Sequence, residues 1–162
     1  MRGFLACLIG LIANPVFACA ELVQSCTFNG GKKEMVVCLE GSDVTYRFGP
    51  SGGTPELALR VPITDADYTP WPGVGRAIWE GMVFYNGDYS YEVSAAFERM
   101  FNDSDEPEPT RGGILIMQGE TVVAELTCDV GSVDWAYGDG GLWAAKTRAG
   151  QCWKDFSWVA CN

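Results

Sequence analysis

Residues 79–93 read WEGMVFYNGDYSYEV, and this stretch decides the fold class of the chain. Two alternating runs meet at Asn86-Gly87, the dipeptide most typical of a tight β-hairpin, because both residues tolerate a positive φ. With Asn86 and Gly87 as a two-residue loop, Phe84 lies opposite Tyr89 and one face of the hairpin is apolar. The stretch therefore predicts two antiparallel strands with one face in the core.

Similar short runs occur on both sides of this hairpin. Alternating or apolar segments, separated by turn residues, are found at 23–28, 35–39, 43–48, 56–61, 114–117 and 121–124. Short strands with turns between them are typical of a sandwich or barrel. We therefore expect an all-β fold, an antiparallel β-sandwich or barrel of about 7–8 short strands.

The pattern weakens after residue 128. Residues 129–162 hold Trp135, Trp143, Trp153 and Trp158 among glycines and show no clean period, although 142–147 could form a helical turn. We expect one disulfide-stapled β domain over residues 21–128, with a Trp/Cys-rich, irregular C-terminal extension over 129–162 packed on it.

The first twenty residues have the composition of an export signal. Arg2 precedes a short apolar run, and Ala18-Cys19-Ala20 puts small residues where a signal peptidase cuts. The sequence predicts removal of residues 1–20 after Ala20, which leaves a periplasmic or secreted protein that begins at Glu21. The alternative is a lipoprotein with its lipid on Cys19. No later segment is apolar for long enough to predict a membrane span.

The number of cysteines available for disulfides depends on whether this export signal is removed. Once residues 1–20 are removed, five of the seven cysteines remain, and an exported protein should pair them as disulfides with one left over. Cys26 and Cys38 flank a turn-rich stretch, and in a hairpin centred on Lys32 they lie opposite each other, so we expect this pair to be bonded. Cys152 and Cys161 form the expected second pair, with Cys128 as an alternative partner for either.

Charge and the absence of histidine restrict the function. The net charge is −10 with no histidine, so Ser-His-Asp and Cys-His catalysis are excluded. An acidic chain disfavours nucleic acid, which is bound by clustered Lys and Arg. We therefore expect neither an enzyme nor a cofactor or metal site. The acidity suits a basic protein partner, and equally suits solubility alone.

One acidic loop allows a different interpretation. Oxygen donors at Asn102, Asp103, Asp105 and Glu106 are of the type that calcium prefers, but the spacing and central glycine of an EF-hand are missing. We expect residues 102–108 to be a solvated loop, with calcium binding as the alternative.

A tryptophan between two prolines is a candidate for ligand binding. Trp71 follows Pro70 and precedes Pro72, a context that predicts a loop. An exposed indole on a loop can stack on a sugar or fill a pocket of a partner protein, whereas a buried one is only core. The six tryptophans of the chain therefore make a carbohydrate-binding module the alternative to a protein-binding function.

The chain resembles a family of small exported proteobacterial proteins, most of them uncharacterised. The resemblance covers roughly residues 22–128, and its motifs are structural ones that supply no catalytic residue. They are the cysteines at 26 and 38, YRFG at 46–49 followed by EL at 56–57, NGDYSY at 86–91, residues 113–117 with the glycine at 119, and LTC at 126–128.

A more distant likeness is to the periplasmic lysozyme inhibitors, which are also exported, compact β proteins. Their inhibitory loop carries a Ser-Gly-x-x-Tyr element, of which residues 51–55 (SGGTP) keep the first two positions and lack the tyrosine. The likeness implies a non-enzymatic exported binding protein, and possible inhibition of lysozyme-type hydrolases. An envelope structural protein is a further alternative. The expected partner contacts are Ser51, Gly52, Gly53, Trp71 and Arg76.

Overall fold

Two five-stranded antiparallel sheets make up most of the computed structural model, which describes residues 19–100 and 108–161. The first sheet has the order β10-β1-β2-β3-β4, with β1 (Glu21–Phe28), β2 (Lys33–Glu40), β3 (Asp43–Pro50), β4 (Leu57–Pro62) and β10 (Asp134–Trp135). The second has the order β5-β6-β7-β8-β9, with β5 (Asp67–Thr69), β6 (Ala77–Asn86), β7 (Tyr89–Glu98), β8 (Arg111–Gln118) and β9 (Thr121–Thr127).

The core lies between these sheets, and the expected all-β sandwich is confirmed. Inward side chains of β2 and β3, such as Val37 and Tyr46, meet those of β6 and β7, such as Phe84 and Val93. The Tyr46 and Phe84 rings have centroids 5.1 Å apart. The described residues contain twelve strands, more than expected. β5 and β10 have three and two residues and are too short to show alternation, and β11 (Gln151–Lys154) and β12 (Ser157–Ala160) lie in the segment expected to be irregular.

The central hairpin forms, but its register differs from the prediction. Asn86 pairs with Tyr89 and Phe84 with Tyr91, so the two-residue loop is Gly87-Asp88. The left-handed φ of +61° falls on Gly87, and a glycine at the first loop position is typical of a type II′ turn. The predicted pairing of Phe84 with Tyr89 is therefore wrong by two residues. An even shift keeps every side chain on its predicted face.

The disulfides join Cys19 to Cys38, Cys26 to Cys128, and Cys152 to Cys161. The expected bond between Cys26 and Cys38 is wrong, whereas that between Cys152 and Cys161 is confirmed. The β1–β2 loop covers residues 29–32 with three successive residues at positive φ, and this register places Cys26 opposite Met35 rather than Cys38. Cys128 is therefore not left over.

The C-terminal segment is not irregular, contrary to the expectation. After β10 it forms a 3₁₀ turn (Gly138–Gly140), a helix α1 (Leu142–Arg148), where 142–147 was a possible helical turn, and a hairpin of β11 (Gln151–Lys154) and β12 (Ser157–Ala160). β10 extends the first sheet, with Trp135 opposite Gln24.

No helix of the described residues is long and apolar enough to cross a membrane. The leader up to residue 18 and the acidic residues 102–106 lie outside the described part.

Candidate binding surfaces

The outer face of the second sheet presents aromatic and polar side chains. Met82 and Phe84 are buried, so the odd positions of β6 point outward; there Trp79 is 37% and Tyr85 63% exposed. We call this surface the Trp79 face. It comprises the outward residues of β6–β9, chiefly Trp79, Gly81, Tyr85, Glu92, Ser94, Gly113, Leu115, Glu125 and Thr127.

A row of small residues crosses the Trp79 face. Gly81 pairs with Ser94, Ser94 with Gly113, and Gly113 with Thr127. A cavity of about 280 Å³ lies along β7–β9 and is lined by Ser94, Arg111, Gly113, Leu115, Glu125 and Thr127. Its floor depends on a glycine, because a Cβ on Gly113 would lie 2.6 Å from the Leu126 carbonyl oxygen. Small concave sites with a few polar groups suit small ligand groups.

Charged residues form one end of this face. The Glu98 carboxylate binds Arg111 at 2.6 Å and Arg76 at 3.4 Å. Both arginines are more than half exposed, and exposed pairs of this kind contribute little to stability. Arg76, an expected partner contact, is thus held beside the end of β7, where the Arg99 amide also donates to the Arg76 carbonyl.

Trp71 lies in the same β5–β6 connection as Arg76, and its ring is partly covered. Its indole N–H donates to the Val74 carbonyl at 2.9 Å, and the Arg99 guanidinium lies 5.4 Å from the ring centroid. One face of the ring is therefore occupied by a cation–π contact. Val74 in the same loop is an apolar side chain that is 70% exposed.

Ser51, Gly52 and Gly53 form an exposed turn between β3 and β4, which we call the Ser51 turn. Three backbone amides fix it: Ser51 donates to the Lys32 carbonyl, Gly52 to Glu34 Oε1, and Gly53 to the Pro50 carbonyl, at 2.9–3.2 Å. The φ of +67° at Gly52 is one that a side chain rarely adopts. The turn is therefore ordered before it meets any partner.

The neighbouring β1–β2 turn is fixed by a distant acid. The Asp129 carboxylate accepts the amides of Gly30 and Gly31 at 3.0 and 2.8 Å and the Thr27 hydroxyl at 2.8 Å. Hydrogen bonds from these donors lower the pKa of Asp129, and the bond from the Gly30 amide has the largest effect. Two ordered turns thus lie together at one end of the first sheet. The expected contact residues divide between this end and the β5–β6 connection of the second sheet.

A buried acid that the sequence analysis did not single out joins three elements. Glu80 on β6 is 5% exposed, and its two oxygens accept the Tyr68 hydroxyl and the Trp135 indole N–H, at 2.5 and 3.1 Å. Burial raises its pKa, while both hydrogen bonds oppose the rise. Glu80 has the same parity as Met82 and Phe84, so the alternation did place it on the inner face. Because both carboxylate oxygens are hydrogen-bonded, Glu80 has the arrangement of a residue that links neighbouring elements of the fold.

Most of the C-terminal tryptophans are used in packing. The Trp158 ring lies 5.8 Å from Tyr68, 5.1 Å from Trp143 and 5.4 Å from Trp153, and its N–H donates to the Tyr68 carbonyl. The buried Lys146 ammonium lies 5.3 Å from the same ring. Trp143 is still 38% exposed, so Trp79 and Trp143 are the indoles with substantial free surface among the described residues.

In residues 19–100 and 108–161, no three Cys, Asp or Glu side chains are grouped so that they could hold a metal ion. Comparison with protein-family models, curated proteins and solved structures gave no match for this chain. The resemblances seen in the sequence therefore stay predictions.

Proposed function

We propose that this protein is an exported, non-enzymatic binding protein whose target is a basic protein of the lysozyme-type hydrolase class. Three disulfides are typical of an oxidising compartment, which supports export. The lack of histidine and the hydrogen-bonded state of Glu80 support a function without catalysis.

The observation that carries the proposal is the Ser51 turn. It is exposed, is held by three hydrogen bonds, and belongs to a chain with a net charge of −10. An ordered loop loses little conformational entropy when it enters a cleft, which favours affinity. A negative protein also attracts a basic partner over long range, which raises the association rate at low salt.

Inhibition assays test this function. Purified protein is added to basic lysozymes of several classes, at low and at physiological salt. We expect inhibition of at least one class, weaker at higher salt. Full activity of every class at low salt would refute the inhibitor proposal.

A matched pair of variants localises the contact. Ser51→Arg places a cation in the Ser51 turn, whereas Ser42→Arg makes the same change in the exposed β2–β3 turn at the opposite end of β3. We expect Ser51→Arg to weaken inhibition about tenfold or more, as at an interface hot spot, and Ser42→Arg to have little effect. Equal effects of the two variants would exclude the Ser51 turn as the contact.

Glycan binding is the second candidate function, and the Trp79 face favours it. A partly exposed indole and a small cavity with several polar lining residues, both on one sheet face, are suited to stacking and hydrogen bonding of a sugar ring. Tryptophan fluorescence is recorded across a glycan panel for wild type, Trp79→Ala and Trp143→Ala, which remove indoles of nearly equal exposure. A response that Trp79→Ala abolishes and Trp143→Ala retains supports this function; no response in wild type excludes it for the glycans tested.

A further inference from the structure

Cys19 is fixed to the folded domain immediately before its first strand. Its bond to Cys38 spans a Cα–Cα distance of 5.5 Å, and β1 begins two residues later with Glu21 opposite Leu39. Cys38 is fully buried, and the Arg47 guanidinium contacts its sulfur at 3.3 Å. Cys19 therefore belongs structurally to the β domain.

A cut after Ala20 would break this arrangement. It would remove Cys19 and leave the Cys38 thiol buried without a disulfide partner. Cys26 cannot replace Cys19, because it lies opposite Met35 and is bonded to Cys128. With Cys19 retained, the six cysteines of the described residues form three complete disulfides.

We propose that the leader is cleaved between Ala18 and Cys19, so that the mature protein begins at Cys19. Hydrolysis of this one amide adds water, leaving a carboxylate on Ala18 and an α-amine on Cys19. Ala18 is then the residue before the cut and Val16 lies two residues earlier, which fits the small-residue pattern of a signal peptidase. The inference depends on the proposed export.

The same disulfide excludes lipid attachment at this residue. A lipoprotein carries its lipid as a thioether on the cysteine sulfur, and that sulfur is the atom bonded to Cys38. The Cys19 and Cys38 thiols together give up two electrons and two protons to a disulfide-exchanging oxidant of the exporting compartment. One sulfur cannot take part in both bonds, so the mature protein carries no lipid on the Cys19 sulfur.

Intact mass and thiol alkylation test the inference on full-length protein expressed in an exporting bacterial host. We expect wild type to begin at Cys19, to expose no alkylatable thiol when denatured without reductant, and to give a Cys19–Cys38 cross-linked peptide. Cys38→Ala should begin at the same residue and gain one thiol. Ala20→Leu blocks the site after Ala20 and should leave processing unchanged.

Other results would distinguish failure of this inference from failure of the proposed export. A wild-type product that begins at Glu21 with one free thiol, which Cys38→Ala abolishes, overturns the inference while export stands. A detergent-extracted product with lipid on Cys19 also overturns it. A chain that keeps its leader inside the cell instead contradicts the proposed export. Peptide mapping of wild type gives the answer even if Cys38→Ala fails to fold.

Discussion

The Tyr68 hydroxyl donates a 2.5 Å hydrogen bond to the buried carboxylate of Glu80, and so connects edge strand β5 to β6 inside the sandwich. We expect Tyr68→Phe to lower the free energy of unfolding by about 1.5–3 kcal/mol, because it removes a bond to a group that is costly to leave unsatisfied. Urea denaturation measures the loss. Tyr85→Phe is the control, since it removes a 2.6 Å bond to Asp67 at an exposed site and should cost far less. Equal losses would contradict a special role for the buried bond.

The raised pKa of Glu80 predicts a particular pH dependence. Between the ordinary glutamate pKa of 4.5 and the higher folded pKa, the folded protein binds more protons at this residue than the unfolded chain does. The Glu80 contribution to stability is therefore present below 4.5 and is lost as pH rises through the folded pKa. Unfolding free energies of wild type and Glu80→Gln, compared across this range, should differ in slope. A parallel pair of curves would refute the assignment.

Asp129 should act in the opposite direction. Its lowered pKa means that the stabilisation of the β1–β2 turn is present above the ordinary aspartate pKa of 3.8 and is lost as pH falls through the folded pKa. Hydrogen exchange of the Gly30 and Gly31 amides reports on this turn directly. We expect Asp129→Asn to exchange these two amides faster at neutral pH, with amides of the central strand β7 unaffected. Unchanged protection of the two amides would show that the β1–β2 turn is stable without the Asp129 carboxylate.

Two glycines on the Trp79 face should respond differently to alanine. A Cβ on Gly113 would meet the Leu126 carbonyl oxygen at 2.6 Å, whereas one on Gly81 has its nearest neighbour at 3.8 Å. We expect Gly113→Ala to cost about 1–3 kcal/mol through overpacking, and Gly81→Ala to be neutral or slightly stabilising. Thermal and urea unfolding distinguish them. A reversed order would contradict the close approach of β8 to β9.

Loop size predicts the contribution of two disulfides. Cys26 and Cys128 are 102 residues apart, and Cys152 and Cys161 are nine apart. Chain entropy alone gives stabilisations of about 4.7 and about 2.6 kcal/mol. We therefore expect the double alanine variant of the first pair to lose more stability in urea. A larger loss for the second pair would mean that its hairpin packing, rather than loop closure, dominates.

Alternation and turn residues predicted much of the fold from sequence. Period two placed Phe84 on the core face correctly, even where the hairpin register was wrong, because faces survive an even shift. The prediction of a bond between Cys26 and Cys38 failed because of the register of the first hairpin. Three positive-φ residues in the β1–β2 loop shift Cys26 by three positions relative to β2. Such a shift depends on the loop conformation, which composition alone does not determine.

The hairpin of β11 and β12 escaped prediction because its turn residues are unusual. Asp155 and Phe156 both adopt positive φ, at 51° and 59°, where Asn-Gly would normally be expected.

The candidate surfaces were predicted unevenly. The residues of the Ser51 turn were named from the Ser-Gly positions of the distant likeness, but the Trp79 face depends on pairing across four strands, which no single segment displays.

The bond between Cys26 and Cys128 encloses nearly all of both sheets in one covalent ring. A protease that cuts a single peptide bond anywhere between these two cysteines opens the ring without separating its pieces, since each fragment stays attached through sulfur. A nicked molecule would thus keep the mass of the whole chain, and its fragments would separate only when reductant is added. For the exported protein proposed above, which would meet proteases where reductants are scarce, this ring keeps the parts of the domain together after a cut in the backbone.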